Sequence, residues 1–582
     1  MTKWRTWLSH PRLPVIVALL AVLFTLPSLG NGLNLDDNIH RLILLGDNYL
    51  SPRSSSPLNL FCFSDGNVEE NIRLMNIGVF PWWTSERLKL VFFRPLSALT
   101  HWLDYQLWPD MPLLMHVQSL LWFGVLICLV AFFYRRIMGT TWATGLAALL
   151  FAVDGAHGSL AGWLASRNVL LAGVFATLCL ITHDRWRREK WRKGIVLAPA
   201  CFALALLSAE AGISTGAYLL AHALFLESSS LKDRIVCLLP YILVLFLWYL
   251  VYSLLGCGAQ DVPIYIDPLK DPLTYLMALF FRAPAYLLGQ WLFPPVFCYL
   301  FWPSIIYKIA LVFTMFLILI FAPLIRRDPI ARFWTAGMLF SLLPICSAQP
   351  HDRNLLFVGL GTMGLLAQWF FWISQAEWNL KSRLWCVTTR TLIVLFILIH
   401  AVLAPLRLPV SALMFALMDK GVEQVSASLP YNPEYKNRKF VLVNNPSSLF
   451  CVINVCWNKA VKGQFIPLRS LTSGDSPLIL RCIDLRTIEI RAEKGSLTDI
   501  DTIFVRNKRF SMHPGQRVEL NDMSIEILEV NDGLPTAAKF LFSVHLNDSG
   551  LAWFRWQDNR YVPFTPPAVG ETITIEGARF RM

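Results

Sequence analysis

Long apolar runs alternate with short polar stretches over the first 404 residues of the chain. A helix of about 20 residues crosses the hydrocarbon core of a bilayer, and the first run, Leu13 to Leu29, approaches that length. Further runs lie near 113–133, 142–154, 168–182, 194–208, 211–226, 235–255, 305–323, 333–349, 354–373 and 384–404. The pattern predicts an α-helical polytopic membrane protein with about 11 transmembrane helices.

The composition agrees with a membrane protein. Hydrophobic residues make up 55% of the chain and charged residues 15%, and the mean hydropathy is +0.50. A soluble chain with this balance could not cover its apolar surface, which excludes a soluble enzyme, a disordered hub and a secreted disulfide scaffold. The net charge of +12 lies mostly in short loops. It therefore indicates membrane orientation and no nucleic-acid partner.

The basic residues predict how the chain threads the membrane. Clusters such as Arg185, Arg187 and Arg188 fall in alternate loops, which face the cytoplasm by the positive-inside rule. All the basic loops face the cytoplasm only if the segment 273–300 does not cross the membrane. This segment, with Arg282 and Pro284, would then form a re-entrant or interfacial pair of short helices. We therefore expect an integral inner membrane protein with a cytoplasmic N-terminus and a periplasmic C-terminal domain.

The pattern also predicts the domain organisation. A transmembrane domain covers 1–404, and it includes a large first extracytoplasmic loop at 30–112 and a re-entrant or interfacial segment at 256–303. An amphipathic linker follows at 405–437. Stretches such as AKFLFSVHL and TITIEG, separated by Asn-Asp-Gly and Asn-Asp-Ser-Gly turn signals, predict an extracytoplasmic β-rich domain over 438–582.

The first candidate site lies directly after the first apolar run, in Asn34-Leu35-Asp36-Asp37-Asn38-Ile39-His40. A helix here would place Asp37 and His40 on one face. A carboxylate at a low-dielectric boundary can have a raised pKa and serve as a general base. The alternative is a helix cap, with Asp36 or Asn34 as the capping residue. Both interpretations can hold, because one Asp can cap while the other reacts.

Other polar residues fall at the predicted outer ends of the helices. A cation such as Arg94 could bind a phosphate or anchor an interfacial helix. Asp154 and His157 could bind a divalent cation or a substrate hydroxyl, or they could cap a loop. The full set of candidate substrate-binding residues is His40, Arg94, His116, Asp154, His157, Arg167, Glu210 and Arg353. The position of all these residues at the predicted outer ends of the helices favours a site open to the extracytoplasmic side.

Several motifs, in order, resemble those of a known family. Asp-Asp-x-x-His after the first span resembles the first-loop motif of GT-C fold membrane glycosyltransferases. The stretches FFRPLSALTHWLDYQLW, FAVDGAHGSLAGWLASRNVLLAG and LLSAEAGIS resemble segments of the transmembrane-and-tetratricopeptide-repeat O-mannosyltransferases and their bacterial relatives. The resemblance covers roughly residues 1–400. The β-like tail departs from the family's helical repeats, so protein O-mannosylation is not implied.

The resemblance implies an inverting hexosyl or pentosyl transfer from a polyprenyl-phosphate-sugar donor. By position, Asp37 or Asp36 is the catalytic base, Arg94 contacts phosphate or is structural, and His157 matches the family's second His. The acceptor would be a glycan, lipid or protein, and membrane lipid surrounds the site. No cofactor is certain, although a divalent cation is compatible with Asp154 and His157.

Two other function classes remain open. One is a polytopic transporter of an envelope precursor, which would favour repeated halves and paired broken helices. The other is a membrane-anchored envelope assembly protein whose tail binds envelope components. Loss of activity in Asp37→Asn, with the fold retained, would distinguish the enzyme from both.

Overall fold

The structure is a computed structural model that describes residues 3–47, 49–292, 294–375, 383–435, 437–499, 502, 504–506 and 508–580. It contains two compact units, each built from separate stretches of the chain. The helical unit comprises Met1–Leu33, Phe92–Leu255 and Ile266–Leu417. The β-rich unit comprises Asn34–Val91, Gly256–Tyr265 and Met418–Met582.

Helices form most of the described chain. The α-helices are α1 (Lys3–Leu8), α2 (Leu13–Thr25), α3 (Asp36–Leu44), α4 (Val68–Asn76), α5 (Pro95–Leu107), α6 (Pro112–Met138), α7 (Trp142–Ala152), α8 (Gly158–Gly162), α9 (Arg167–Glu189), α10 (Gly194–Ser208), α11 (Thr215–Phe225), α12 (Leu231–Val236), α13 (Leu239–Leu254), α14 (Pro272–Trp291), α15 (Pro303–Arg327), α16 (Pro329–Ile345), α17 (Leu356–Ser374), α18 (Arg383–Ile397), α19 (Ala404–Ala427) and α20 (Asn454–Val461). Short 3-10 helices include Gly155–His157, Glu210–Ser214, Val296–Leu300 and Asp352–Leu355.

Eight helical stretches within the described ranges are long and apolar enough to cross a membrane, which makes the chain a multi-pass membrane protein. They are Leu13–Gly30, Pro112–Met138, Trp142–Gly162, Leu164–Glu189, Leu231–Leu254, Pro303–Arg327, Asp352–Ser374 and Val387–Ala427. The predicted runs at 194–208 and 333–349 fall in the shorter apolar helices Gly194–Ser208 and Pro329–Ile345. Eleven crossings and their orientation remain predictions.

Local sequence explains how the long helices begin and end. In α6, Pro112 occupies the first turn, where the missing N–H costs nothing. Arg135 and Arg136 lie in its last turn, where positive charge is favourable. Gly139 follows at φ 72°, a left-handed conformation that stops the helix.

The segment 273–300 differs from its predicted pair of short helices. Residues Pro272–Trp291 form one helix of 20 residues, and the 3-10 helix Val296–Leu300 follows. Asp271 caps α14, because its side chain accepts a hydrogen bond from the Thr274 N–H at 3.2 Å. Pro284 lies inside the helix, which continues through it at a cost of about 3 kcal/mol. That this segment does not cross the membrane remains a prediction.

The described strands form three sheets in the β-rich unit. They are β1 (Cys62–Asp65), β2 (Lys89–Val91), β3 (Gly258–Gln260), β4 (Lys439–Leu442), β5 (Leu468–Ser470), β6 (Leu478–Asp484), β7 (Thr487–Ala492), β8 (Arg517–Glu519), β9 (Met523–Asn531), β10 (Leu534–Phe542), β11 (Leu551–Gln557), β12 (Arg560–Pro563) and β13 (Thr572–Ile575). The sheet orders are β1-β2-β3, β13-β6-β7-β10-β9-β8 and β12-β11-β4-β5. The predicted β-rich C-terminal region is confirmed.

The six-stranded sheet follows simple sequence rules. Neighbouring strands are antiparallel throughout, and in β6 buried Leu478, Leu480 and Cys482 alternate with exposed residues. Asp532 and Gly533 join β9 to β10 with φ of 53° and 80°. Two such left-handed residues match the twist of a tight hairpin, as the Asn-Asp-Gly signal predicted.

Candidate functional site

The acidic motif after the first span begins α3. Asp36 and Asp37 occupy its first turn, where the helix dipole favours negative charge. Asp37 is 3% exposed, and its Oδ2 accepts a hydrogen bond from the Asn34 N–H at 3.0 Å. The N-cap residue is Leu35, at φ 49°, and it makes no side-chain cap bond. Neither Asp36 nor Asn34 therefore occupies the N-cap position itself.

His40 lies one turn beyond Asp37 and is also buried. Its ring packs edge-on against Phe61, at 4.9 Å between centroids, and lies 6.0 Å from the Phe63 ring. Aromatic packing fixes the orientation of the imidazole. Asp36, Asp37 and His40 belong to the β-rich unit, whereas the other predicted site residues belong to the helical unit.

Arg94 and Glu210 form an ion pair in the helical unit. The Arg94 Nε and Nη2 atoms both lie 2.7 Å from Glu210 Oε2, and the guanidinium lies 4.2 Å from the centroid of the Phe92 ring. Arg94 precedes α5, and Glu210 begins the 3-10 helix after α10. The two side chains are 17% and 23% exposed, so a ligand can still reach them.

Arg167 and Asp104 form a second, fully buried ion pair. Arg167 Nη1 lies 2.6 Å from Asp104 Oδ2, and neither side chain is exposed. Arg167 also donates to Ser119 Oγ at 3.0 Å and to the Met115 carbonyl at 2.8 Å. Burial raises the pKa of Asp104, and the Arg167 charge opposes that shift. These bonds fix the position of the Arg167 guanidinium.

His116 lies close to this buried pair. It belongs to the first turns of α6, is fully buried, and places Nε2 3.4 Å from the Gly32 carbonyl. It therefore connects the start of α6 to the segment that follows α2.

Asp154 joins two helices at the end of α7. Its Oδ1 accepts from the Ala156 N–H at 2.9 Å, and its Oδ2 accepts from Gln290 Nε2, on α14, at 2.7 Å. His157 instead packs its ring against Phe151 at 4.6 Å. The capping interpretation of Asp154 thus holds in this structure. No group of three potential metal ligands is found within the described residues.

A third ion pair involves a residue that the sequence did not single out. Arg407 Nη2 lies 2.5 Å from Asp352 Oδ1, and both side chains are largely buried. The stem of Arg407 crosses Gly155, where a Cβ atom would lie 2.9 Å from Arg407 Cδ. Arg407 could have been singled out from the sequence, because it lies inside the apolar stretch 401–417. Charged residues within membrane-spanning segments are rare and usually functional.

Small residues allow α8 and α19 to approach closely beside Arg407. Gly158 and Gly162 are four residues apart, and a Cβ at Gly162 would lie 2.3 Å from the Ala412 carbonyl oxygen. Asn31 Nδ2 donates to the carbonyls of both Gly162 and Ala412, at 2.7 and 2.8 Å. This is the small-xxx-small packing found between membrane helices.

Arg353 stacks on an aromatic ring next to the Asp352 pair. Its guanidinium lies 5.0 Å from the centroid of the Trp163 ring, a cation–π contact. Asp154 and Glu210 thus lie where α7 and α10 end, and Arg167 and Asp352 lie where α9 and α17 begin. That these ends share the outer side of the membrane remains a prediction.

Comparison with known proteins adds little to this description. No protein-family model matches the sequence, and no curated protein is significantly similar to it. Among solved structures, the chain is similar to ArnT from Cupriavidus metallidurans, whose crystal structure was determined bound to undecaprenyl phosphate. The TM-score is 0.37 and the identity 13%, over 78% of this chain and 89% of that chain. A similarity at this level identifies neither the family nor the activity of this chain.

Proposed function

We propose that the protein is a GT-C-like membrane glycosyltransferase. It would move a sugar from a polyprenyl-phosphate-linked donor to an acceptor on the extracytoplasmic face. One observation carries the proposal: Asp37 is a buried carboxylate, anchored at one oxygen, that follows directly on the first membrane-spanning stretch. A fixed carboxylate at the edge of a bilayer suits a base that must meet a lipid-linked substrate.

The proposed step is an inverting displacement. Asp37 removes the proton from an acceptor hydroxyl, and that oxygen attacks the anomeric carbon of the donor sugar. The bond between the anomeric carbon and the phosphate oxygen breaks, and polyprenyl phosphate leaves with the electron pair. Asp37 is a better candidate than Asp36, because Asp37 is buried and accepts from the Asn34 N–H, whereas Asp36 is only half-buried.

The proposed step also needs a cation that offsets the charge developing on the leaving phosphate. Arg94 and Arg353 are the candidates, because each guanidinium is partly exposed and held against an aromatic ring. Arg167 is fully buried among its partners, and we assign it to positioning. The remaining candidates would orient the substrate indirectly, by holding the helices and loops around it in place. They are His40, His116, Asp154, His157 and Glu210.

A transporter remains the second candidate because of one buried network. Arg136 Nη2 lies 2.6 Å from Asp184 Oδ2, and His222 Nε2 lies 3.1 Å from Asp184 Oδ1. Arg136 and Asp184 lie within candidate membrane spans, where ionisable groups often mark ion or proton pathways. Substrate uptake that fails in Asp184→Asn but persists in Asp37→Asn would favour transport.

The decisive experiment measures transfer of radiolabelled sugar from polyprenyl-phosphate donors in membranes. We expect Asp37→Asn to lower the rate by roughly 10²–10⁴-fold, the usual contribution of a general base, and Asp36→Asn to have a much smaller effect. Glu69→Gln is the matched control, because Glu69 is also a first-turn acid, in α4, but is exposed. Equal rates in wild type and in both Asp variants would exclude a catalytic role for the pair.

A further inference from the structure

The β-rich unit contains a cleft of about 230 Å³ that none of the predicted site residues lines. Its wall comes from three distant parts of the sequence: the first-loop stretch with Trp82 and Glu86, Asp261, and a tail stretch with Arg506 and Gln516. All three belong to the β-rich unit. The cleft therefore forms only when this unit folds.

The charges around the cleft balance. Glu86 and Asp261 carry negative charge, Arg87 and Arg506 carry positive charge, and Gln516 supplies an amide. Carboxylates accept hydrogen bonds, guanidinium groups donate them, and an amide does both. A balanced set disfavours an anion such as phosphate. It suits a neutral ligand whose groups both donate and accept, which is the property of hydroxyls.

Two of these charged groups are held in place. The buried Arg506 guanidinium donates to the carbonyls of Trp83 and Phe510, which fixes the fork of donors. Asp261 adopts φ 55°, a left-handed conformation, and its Oδ2 accepts from the Ser85 hydroxyl at 2.7 Å. Groups fixed before binding lose little entropy when a ligand arrives.

Apolar groups complete the wall. Trp82 is 2% exposed, and its Nε1 donates to the Leu471 carbonyl at 3.2 Å, so the indole cannot turn. Val518 lies on the tail side of the cleft. Drug-sized pockets usually measure about 300–1,000 Å³, so this smaller cleft suits a compact ligand. A sugar ring combines hydroxyl edges with apolar C–H faces at that size.

We propose that this cleft binds a neutral sugar unit through its hydroxyls. The assignment rests on the cleft alone and stands whether or not the chain transfers sugar. Under the proposed function, the bound unit would belong to a glycan acceptor, which would narrow the acceptor class from glycan, lipid or protein to glycan.

The test measures binding to the purified full chain in detergent by saturation-transfer NMR. The probes are neutral hexoses, pentoses and N-acetylhexosamines, with inorganic phosphate and glucuronate as anionic probes. We expect saturable binding of at least one neutral sugar. Glu86→Gln and Gln516→Ala should each weaken it roughly fivefold to tenfold, the usual effect of one lost hydrogen bond. Glu493→Gln, an exposed acid of the same unit outside the cleft, is the matched control.

Three results would overturn the proposal. The first is that no neutral probe saturates the protein up to its solubility limit. The second is that wild type and both cleft variants bind the neutral sugar equally well. The third is that the protein binds phosphate or glucuronate more tightly than any neutral sugar. Thermal unfolding of each variant excludes misfolding as the cause of a loss. Sugar binding without any sugar transfer would support this cleft and count against the proposed enzyme, so the two failures are distinguishable.

Discussion

At the scale of single residues, the ion pairs of the helical unit differ mainly in their contact with solvent. The Arg167–Asp104 pair is fully buried, whereas the Arg94–Glu210 pair is partly exposed. Removing one partner of a buried pair leaves an uncompensated charge in a low dielectric, whereas an exposed charge regains water. Removal of one partner should therefore destabilise the protein more at the Arg167–Asp104 pair than at the Arg94–Glu210 pair.

We expect Asp104→Asn to destabilise the protein by about 3–5 kcal/mol, because Arg167 would keep its charge without a carboxylate. Glu210→Gln is the control and should cost clearly less, since its side chain is 23% exposed. The midpoint of thermal unfolding in detergent compares the two. Equal shifts would contradict a special role for burial at Asp104.

His351 predicts a pH dependence of stability. Burial, with the nearby charge of Arg353, lowers the pKa of His351 from 6.5 to about 4, and its Nδ1 accepts from the Arg353 N–H at 3.1 Å. Because the folded pKa lies below the unfolded value, this contribution is complete above about pH 6.5 and is lost as the pH falls towards about 4. The total loss should be about 3 kcal/mol.

Thermal unfolding at about pH 7 and about pH 5 tests this dependence. His351→Asn keeps a side-chain acceptor at the N-cap but does not titrate, so the difference between the two pH values should shrink. An unchanged difference in His351→Asn would assign the pH effect to another group.

At the scale of elements, the close packing of α8 on α19 depends on glycine. A methyl group at Gly162 would lie 2.3 Å from the Ala412 carbonyl oxygen, whereas one at Gly421, also in α19, meets no described atom within 4 Å. Gly162→Ala should therefore destabilise by roughly 1–3 kcal/mol through overpacking. Gly421→Ala should be neutral or stabilise by about 0.5–1 kcal/mol. Melting temperatures that move in the same direction for both variants would refute the packing argument.

The helices and turns that depend only on neighbouring residues could be predicted from the sequence. The β9–β10 hairpin follows from Asp532 and Gly533, and the long apolar helices follow from their composition. Pairings between distant residues were not predictable from one sequence. Strand β2 pairs with β3 across 166 intervening residues, Arg407 pairs with Asp352, and the cleft gathers Trp82, Asp261 and Arg506. None of these contacts leaves a periodic signal along the chain.

At the scale of the whole molecule, the parity of the crossings decides where the tail lies. From a cytoplasmic N-terminus, the eleven predicted crossings place it outside, but the eight described candidates alone would place it inside. The shorter helices α10 and α16 and the Glu210–Phe225 stretch make up the difference in number. We expect a C-terminal reporter enzyme that is active only outside the cytoplasm to be active. An inactive reporter, with a matched cytoplasmic reporter active, would imply an even number of crossings.

The discontinuous make-up of the β-rich unit has a consequence for biogenesis. Asp37 lies in its first stretch, Asn34–Val91, while the six-stranded sheet needs β13, which is synthesised more than five hundred residues later. Contacts of such high sequence separation form slowly and leave early segments exposed to aggregation or chaperones. The nascent chain would then insert its helices long before the proposed base reaches its final setting, so a ribosome that stalls early would release a membrane-embedded but inert polypeptide.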